Sequence, residues 1–213
     1  MRRELAYIFA FIAWSSVSMQ YWIMLESTPF TLGTATLRFF SYFTILTNTL
    51  LALYFSSQVH AHLHDRGKIW GKSGTLTAIT VYILVVGLVY QFVLRGIWDP
   101  QGMARFTDEL LHSLNPLLAL VFWWLFEDKK AVEWKQIPYW LIYPLVYFIY
   151  TVIHGLLSGF YPYPFVDLNE ISIGQLLINF LILATTFSLV SLGLVGLGKR
   201  LSKAQGNKQN LVP

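Results

Sequence analysis

Thr44, His112 and His154, each set within an apolar run, are the residues whose side chains could do chemistry. A threonine oxygen and a histidine nitrogen are the minimum for nucleophilic acyl transfer: the oxygen attacks and the imidazole takes its proton. The chain has no cysteine, so thiolate nucleophiles, thiolate metal sites and disulfides are excluded. Asp108 precedes His112 by one helical turn and could hold its tautomer. Asn48, Asn115 and Arg95 carry amide or guanidinium donors that could stabilise an oxyanion. Helical spacing sorts the polar residues into stripes: Ser41, Thr44 and Asn48; Asp108, His112 and Asn115; and Tyr147, Thr151, His154 and Ser158. An ionisable group inside an apolar span marks a functional site by default. Hydroxyls such as those of Thr47, Thr49, Thr185 and Ser188 read instead as hydrogen-bonded contacts between helices.

The composition says which elements must hold these groups. Of 213 residues, 55% are hydrophobic, 17% aromatic and only 12% charged, against about a quarter charged in a soluble domain. That excludes an ordinary soluble protein, a disordered chain and a coiled coil. The expected fold is all-α, a polytopic membrane protein built as a six-transmembrane-helix bundle. A span needs about 20 mainly apolar residues, and the windows that qualify are 5–26, 37–57, 75–95, 108–126, 138–157 and 173–198. The first continues through Gln20, Tyr21 and Trp22 without a small-residue cleavage site, so it reads as a span. Residues 1–198 are expected to form one domain and 199–213 a solvated cytoplasmic tail.

With six spans, one side holds Arg2, Arg3, Arg66, Lys68, Lys72, Lys129, Lys130, Lys135, Lys199, Arg200, Lys203 and Lys208, which is 12 of the 15 Lys and Arg. The other side has Arg38, Arg95 and Arg105. This asymmetry predicts an integral membrane protein with both termini in the cytoplasm. The net charge of +4 comes from residues scattered between apolar runs, so no nucleic-acid partner is expected.

Orientation converts sequence position into depth. At 1.5 Å per residue Thr44 lies about 10 Å from the outer end of the second span, His112 about 6 Å in and His154 about 5 Å in. Gln20, Asn48, Gln91, Arg95, Asn115, Thr151, Gln175 and Asn179 fall in the same outer half. A pocket there, walled by aromatic residues, would admit an acyl chain from the surrounding membrane lipids, and the substrate class that follows is lipid. The segment Tyr161-Pro162-Tyr163-Pro164-Phe165 reads either as an interfacial anchor or as a lid over that pocket.

Other readings start from the histidines. His60, His62 and His64 alternate at the inner end of the second span without a second ligand pair, so no metal site is expected. His112 and His154 at matching depth could instead ligate a haem iron in an electron-transfer protein. A small-molecule transporter would be marked by broken helices and repeat symmetry.

The run from Arg38 to Asn48, then Leu111-His112 followed by Pro116, then Tyr161-Pro162-Tyr163-Pro164-Phe165, resembles the androgen-induced, androgen-dependent family of six-helix membrane proteins in its bacterial form. The resemblance spans most of the chain. It departs from eukaryotic members in having Thr47-Asn48 where they carry an acidic residue, and in a proline one residue closer to His112. It implies a threonine hydrolase of the cytoplasmic membrane that needs no cofactor and acts on fatty acid esters of hydroxy fatty acids or similar acyl esters. Thr44 is implied as nucleophile and His112 as base.

Overall fold

The window from residue 75 carries no charge before Arg95, and its Leu, Ile and Val side chains can be buried on every side. It forms α4 (Thr75–Val89), which starts after Gly74 at a φ of +86°, a backbone conformation that costs glycine little. α4 is the hub. It packs against α3 (Phe43–Val59), α6 (Asn115–Phe126) and α9 (Ile173–Gln209), and 67% of its most apolar window is buried. A computed structural model describes residues 1–59 and 69–209, and no strand occurs among them. His60, His62 and His64 lie outside the described residues.

The remaining helices surround this hub. α1 (Arg2–Ser27) lies along α3, its buried Ala6, Ala10 and Ala13 allowing close approach. Phe9 of α1 meets Phe55 of α3 and Phe122 of α6 edge-on, which locks these three helices together. α2 (Leu32–Phe39), α5 (Gly102–Glu109), α7 (Ile137–Trp140) and α8 (Ile142–Ser158) complete the set. Among the described residues, five helical rods are long and apolar enough to cross a membrane, or six if α2 and α3 count as one broken span.

The second window differs from expectation because it is not one helix. α2 and α3 meet at 79°. Between them Ser41 and Tyr42 donate their N–H groups only three residues back, to Arg38 and Phe39, and the Ser41 hydroxyl occupies the Leu37 carbonyl at 2.8 Å. Ser41 therefore lies in the break, apart from the helical face of Thr44 and Asn48. The fourth window forms a continuous rod from Gly102 to Phe126, with a π turn at Leu110–Leu114. Pro116 has no N–H to give the His112 carbonyl four residues back, and this favours the wider turn. A second π turn, Tyr90–Leu94, extends α4 beside it. At the fifth window Pro144 likewise leaves the Trp140 carbonyl open, and the Tyr82 hydroxyl donates to it at 2.8 Å. α9 continues as helix to Gln209, past the boundary expected at residue 198.

α8 stands away from the hub, only 11% of its rod's most apolar window being buried, and a cavity opens behind it. On the opposite flank of α4, Gly87 permits close contact with the π turn: a Cβ there would lie 3.0 Å from the His112 carbonyl oxygen and 3.3 Å from Pro116. Gly87→Val is therefore expected to cost about 1–3 kcal/mol. Gly193 has nothing within 4 Å of its virtual Cβ, so Gly193→Ala is expected to hold or slightly raise stability. Thermal unfolding of purified protein should rank the two variants in that order, and equal midpoints would contradict the close approach.

Candidate active site

The first N–H groups of an α-helix have no partner within it. α3 starts inside the molecule, where water cannot serve them. Tyrosine hydroxyls do so: Phe43 N–H donates to the Tyr147 hydroxyl at 3.2 Å and Thr44 N–H to the Tyr163 hydroxyl at 3.1 Å. Tyr147 in turn donates to the Ser41 carbonyl at 2.8 Å, which ties α8 to the break. Tyr163 lies in the loop after α8, and burial pushes its phenol pKa up to about 12. It acts as a neutral hydrogen-bonding group. With Thr44 N–H donating to it, its own proton is free for Thr44 Oγ1, 3.2 Å away.

His112 reaches Thr44 from the π turn. Its Nε2 lies 3.3 Å from Thr44 Oγ1. Its Nδ1 faces two acceptors, Asp108 Oδ1 at 3.1 Å and the Asp108 carbonyl at 3.0 Å. Two acceptors on one nitrogen assign the proton to Nδ1, which leaves Nε2 as the acceptor for Thr44. Tyr90, in the adjacent π turn, stacks on the imidazole with centroids 4.2 Å apart and planes at 12°. The ring is thus fixed by a stack on its face and partners at both nitrogens. Thr44 and Asp108 are both buried.

A ladder of amides holds the two helices in register. Asn48 Nδ2 donates to the Thr44 carbonyl at 2.9 Å and the Leu111 carbonyl at 3.3 Å. Asn115 Nδ2 donates to Asn48 Oδ1 at 2.7 Å and to Ser16 of α1 at 2.8 Å. Both asparagines are fully buried. They position the site, and their donors are engaged in doing so. The Asn48 and Asn115 donors expected to stabilise an oxyanion are engaged between helices, and the donors at the start of α3 are the backbone N–H groups of Phe43 and Thr44, each capped by a tyrosine hydroxyl. Arg95 pairs with Glu109 at the surface and lies over the outer side of Tyr90.

Thr44 borders the cavity behind α8, about 250 Å³ in volume. Val85, Val86, Phe148, Phe180 and Phe187 give it an apolar wall. Thr151 lies in the same wall, buried, next to Tyr147 on α8. The other expected site residues lie elsewhere. His154 stacks on Tyr150 and meets Phe160 edge-on, with Ser158 at 3.4 Å from its Nδ1. It makes no contact with His112, whose nitrogens are both engaged with Thr44 and Asp108. Tyr161 packs its ring against Gly155, where a Cβ would collide with it, and so anchors the loop that carries Tyr163. Sequence reasoning missed Tyr90 and Ser16, and read Tyr147 only as part of a stripe. The signal for Tyr147 and Tyr163 is that a helix beginning in apolar surroundings needs acceptors.

The arrangement can pass a proton from the Thr44 hydroxyl to His112 while Asp108 balances the imidazolium, with backbone donors next to the attacking oxygen. Comparison with protein-family models, with curated proteins and with solved structures finds no match to this chain.

Proposed function

We propose that this chain is a six-span membrane protein with cytoplasmic termini that hydrolyses lipid esters, using Thr44 as nucleophile and His112 as general base. The carrying observation is the line Thr44 Oγ1, His112 Nε2, His112 Nδ1 and Asp108, with contacts of 3.3 and 3.1 Å, opening on an apolar cavity. The motif resemblance to androgen-induced, androgen-dependent proteins supports the same roles.

In the first half-reaction Thr44 Oγ1 bonds to the acyl carbon and its proton passes to His112 Nε2. The carbonyl oxygen becomes an oxyanion beside the N–H groups at the start of α3, which act as preorganised donors once the tyrosine hydroxyls shift. Collapse breaks the ester bond, and the alcohol leaves with the proton from His112. Water then gives a proton to His112 and attacks the acyl-threonine, which releases the acid and restores the Thr44 hydroxyl. The cavity between α4, α8 and α9 holds the acyl chain, because its wall offers aliphatic and aromatic contacts and few polar ones.

Thr44→Ala is expected to abolish both labelling by a fluorophosphonate probe and hydrolysis of a long-chain ester, while Thr44→Ser keeps measurable turnover. His112→Ala should lower kcat by about 10²- to 10⁴-fold. His154→Ala should leave kcat close to that of the parent, since its ring stands between Tyr150 and Phe160. Steady-state kinetics on folded variants decides this, and full activity of Thr44→Ala or equal loss at both histidines would overturn the assignment.

The 12-to-3 split of basic residues sets the expected orientation. A reporter fused after Pro213 should behave as cytoplasmic, and a tag in the loop at 159–169 should react with impermeant reagents from outside. An external C-terminal reporter would reverse the orientation or remove one span.

A further inference from the structure

A second cavity, about 300 Å³, lies on the outer surface between α4 and α9. Val89, Phe165 and Leu183 line both this hollow and the cavity at Thr44, so the two spaces adjoin at these three residues. The outer hollow alone is bordered by Leu88, Phe92, Val93, Asn179, Ile182 and Thr186. Phe92 is 84% exposed and Ile182 58% exposed, so on a chain that sits in a bilayer this hollow faces lipid tails. Asn179 stands roughly 10 Å along α9 from its start at Ile173, at the depth of Thr44, and Thr186 roughly 20 Å along it, near the middle of the span.

We propose that the outer hollow is a lipid-tail binding site through which the ester reaches Thr44 sideways from the outer leaflet. This rests on the hydrolase reading above. The occupant is one acyl chain of a membrane lipid. Continuity with the catalytic cavity fixes this choice, because a chain lying in the hollow needs only the side chains of Val89, Phe165 and Leu183 to rotate to reach the inner space. The local construction suits such movement. The shared residues are two aliphatics and one aromatic, and Phe165 belongs to the loop that also carries Tyr163. Asn179 Nδ2 holds the Phe165 carbonyl at 2.7 Å, while the Phe165 ring lies parallel to that of Tyr163 at 5.1 Å. A tail that displaces the Phe165 ring therefore acts on the ring whose hydroxyl caps Thr44. Binding in the hollow and release of the Thr44 N–H are mechanically joined through one stacked pair.

The absence of cysteine makes this testable by single-site modification. In Ile182→Cys, which borders only the outer hollow, a bulky methanethiosulfonate reagent should cut hydrolysis of a long-chain ester at least tenfold, with recovery on reduction. Hydrolysis of a short, water-soluble ester should persist in the same sample. Leu189→Cys, exposed on α9 and lining neither cavity, should show no change when labelled. Unchanged long-chain hydrolysis in labelled Ile182→Cys would overturn the proposal, and so would equal loss for both esters. Should the unmodified protein hydrolyse neither ester, the hydrolase reading fails, and a phospholipid with a diazirine on its acyl chain decides the binding site by itself. Crosslinks concentrated at Leu88, Phe92 and Ile182 support the hollow; even labelling that includes exposed Leu156 and Leu157 overturns it.

Discussion

A helix that begins in apolar surroundings must find acceptors for its first N–H groups, and much of the structure around Thr44 is arranged to meet that need. Leaving a buried N–H unpaired costs about 1–3 kcal/mol. α3 begins at Phe43 because the chain turns through 79° after α2, and two N–H groups then point away from their own helix. The hydroxyls that receive them come from α8 and from the loop after it. That requirement places α8 against the break near Ser41, fixes the depth of the loop, and brings Tyr163 onto Thr44. Tyr161 on Gly155 and Asn179 on the Phe165 carbonyl then secure the two sides of the same loop.

A second constraint sets the partner helix. Pro116 withholds a hydrogen bond from the His112 carbonyl, and the π turn that results adds one residue to the turn carrying the imidazole. Gly87 lets α4 come close enough for Tyr90 to stack on the ring. The Asn115–Asn48 pair then sets the axial register between the rod and α3. Buried side-chain amides are costly unless satisfied, and here both Nδ2 groups reach neighbouring elements, Asn48 to Leu111 and Asn115 to Ser16, while Asn115 Oδ1 has no partner among the described residues. Six polar residues are thus connected: Ser16, Asn115 and Asn48 hold the helices, and Thr44, His112 and Asp108 occupy the opening they leave.

How much of this was legible in the sequence depends on the range of the interaction. Depth arithmetic put Thr44 and His112 at comparable levels, since position along a span follows from residue number. The i, i+4 relation placed Asp108 beside His112 for the same local reason. The break at 40–42 was not legible, because Phe40-Ser41-Tyr42 contains neither proline nor glycine and the turn depends on Tyr147 and Tyr150, more than a hundred residues away. Arg95 looked like an available donor inside a span. Its partner Glu109 lies across the loop between α4 and α5, and no spacing rule links them. No spacing rule marks Tyr90, because its stack on His112 arises only where the two π turns lie side by side.

The donors that complete the fold at Phe43 and Thr44 are also those that the proposed chemistry would use, and the magnitudes say why this is compatible with selectivity. In the resting site each N–H meets a neutral tyrosine oxygen, a bond worth about 1 kcal/mol net. A neutral ester carbonyl offers about the same, so binding substrate gains little by displacing the tyrosines. A developing oxyanion is a charged acceptor, and hydrogen bonds to charged groups contribute about 1.5–3 kcal/mol each. The exchange becomes favourable only as charge builds on the carbonyl oxygen, so the stabilisation falls on the transition state more than on the bound ester. Because the tyrosine caps leave their donors aligned in the free protein, no reorganisation of the backbone would be needed when that charge appears. The interaction that lets α3 begin inside the molecule would thus also prepare its first turn for the proposed catalysis.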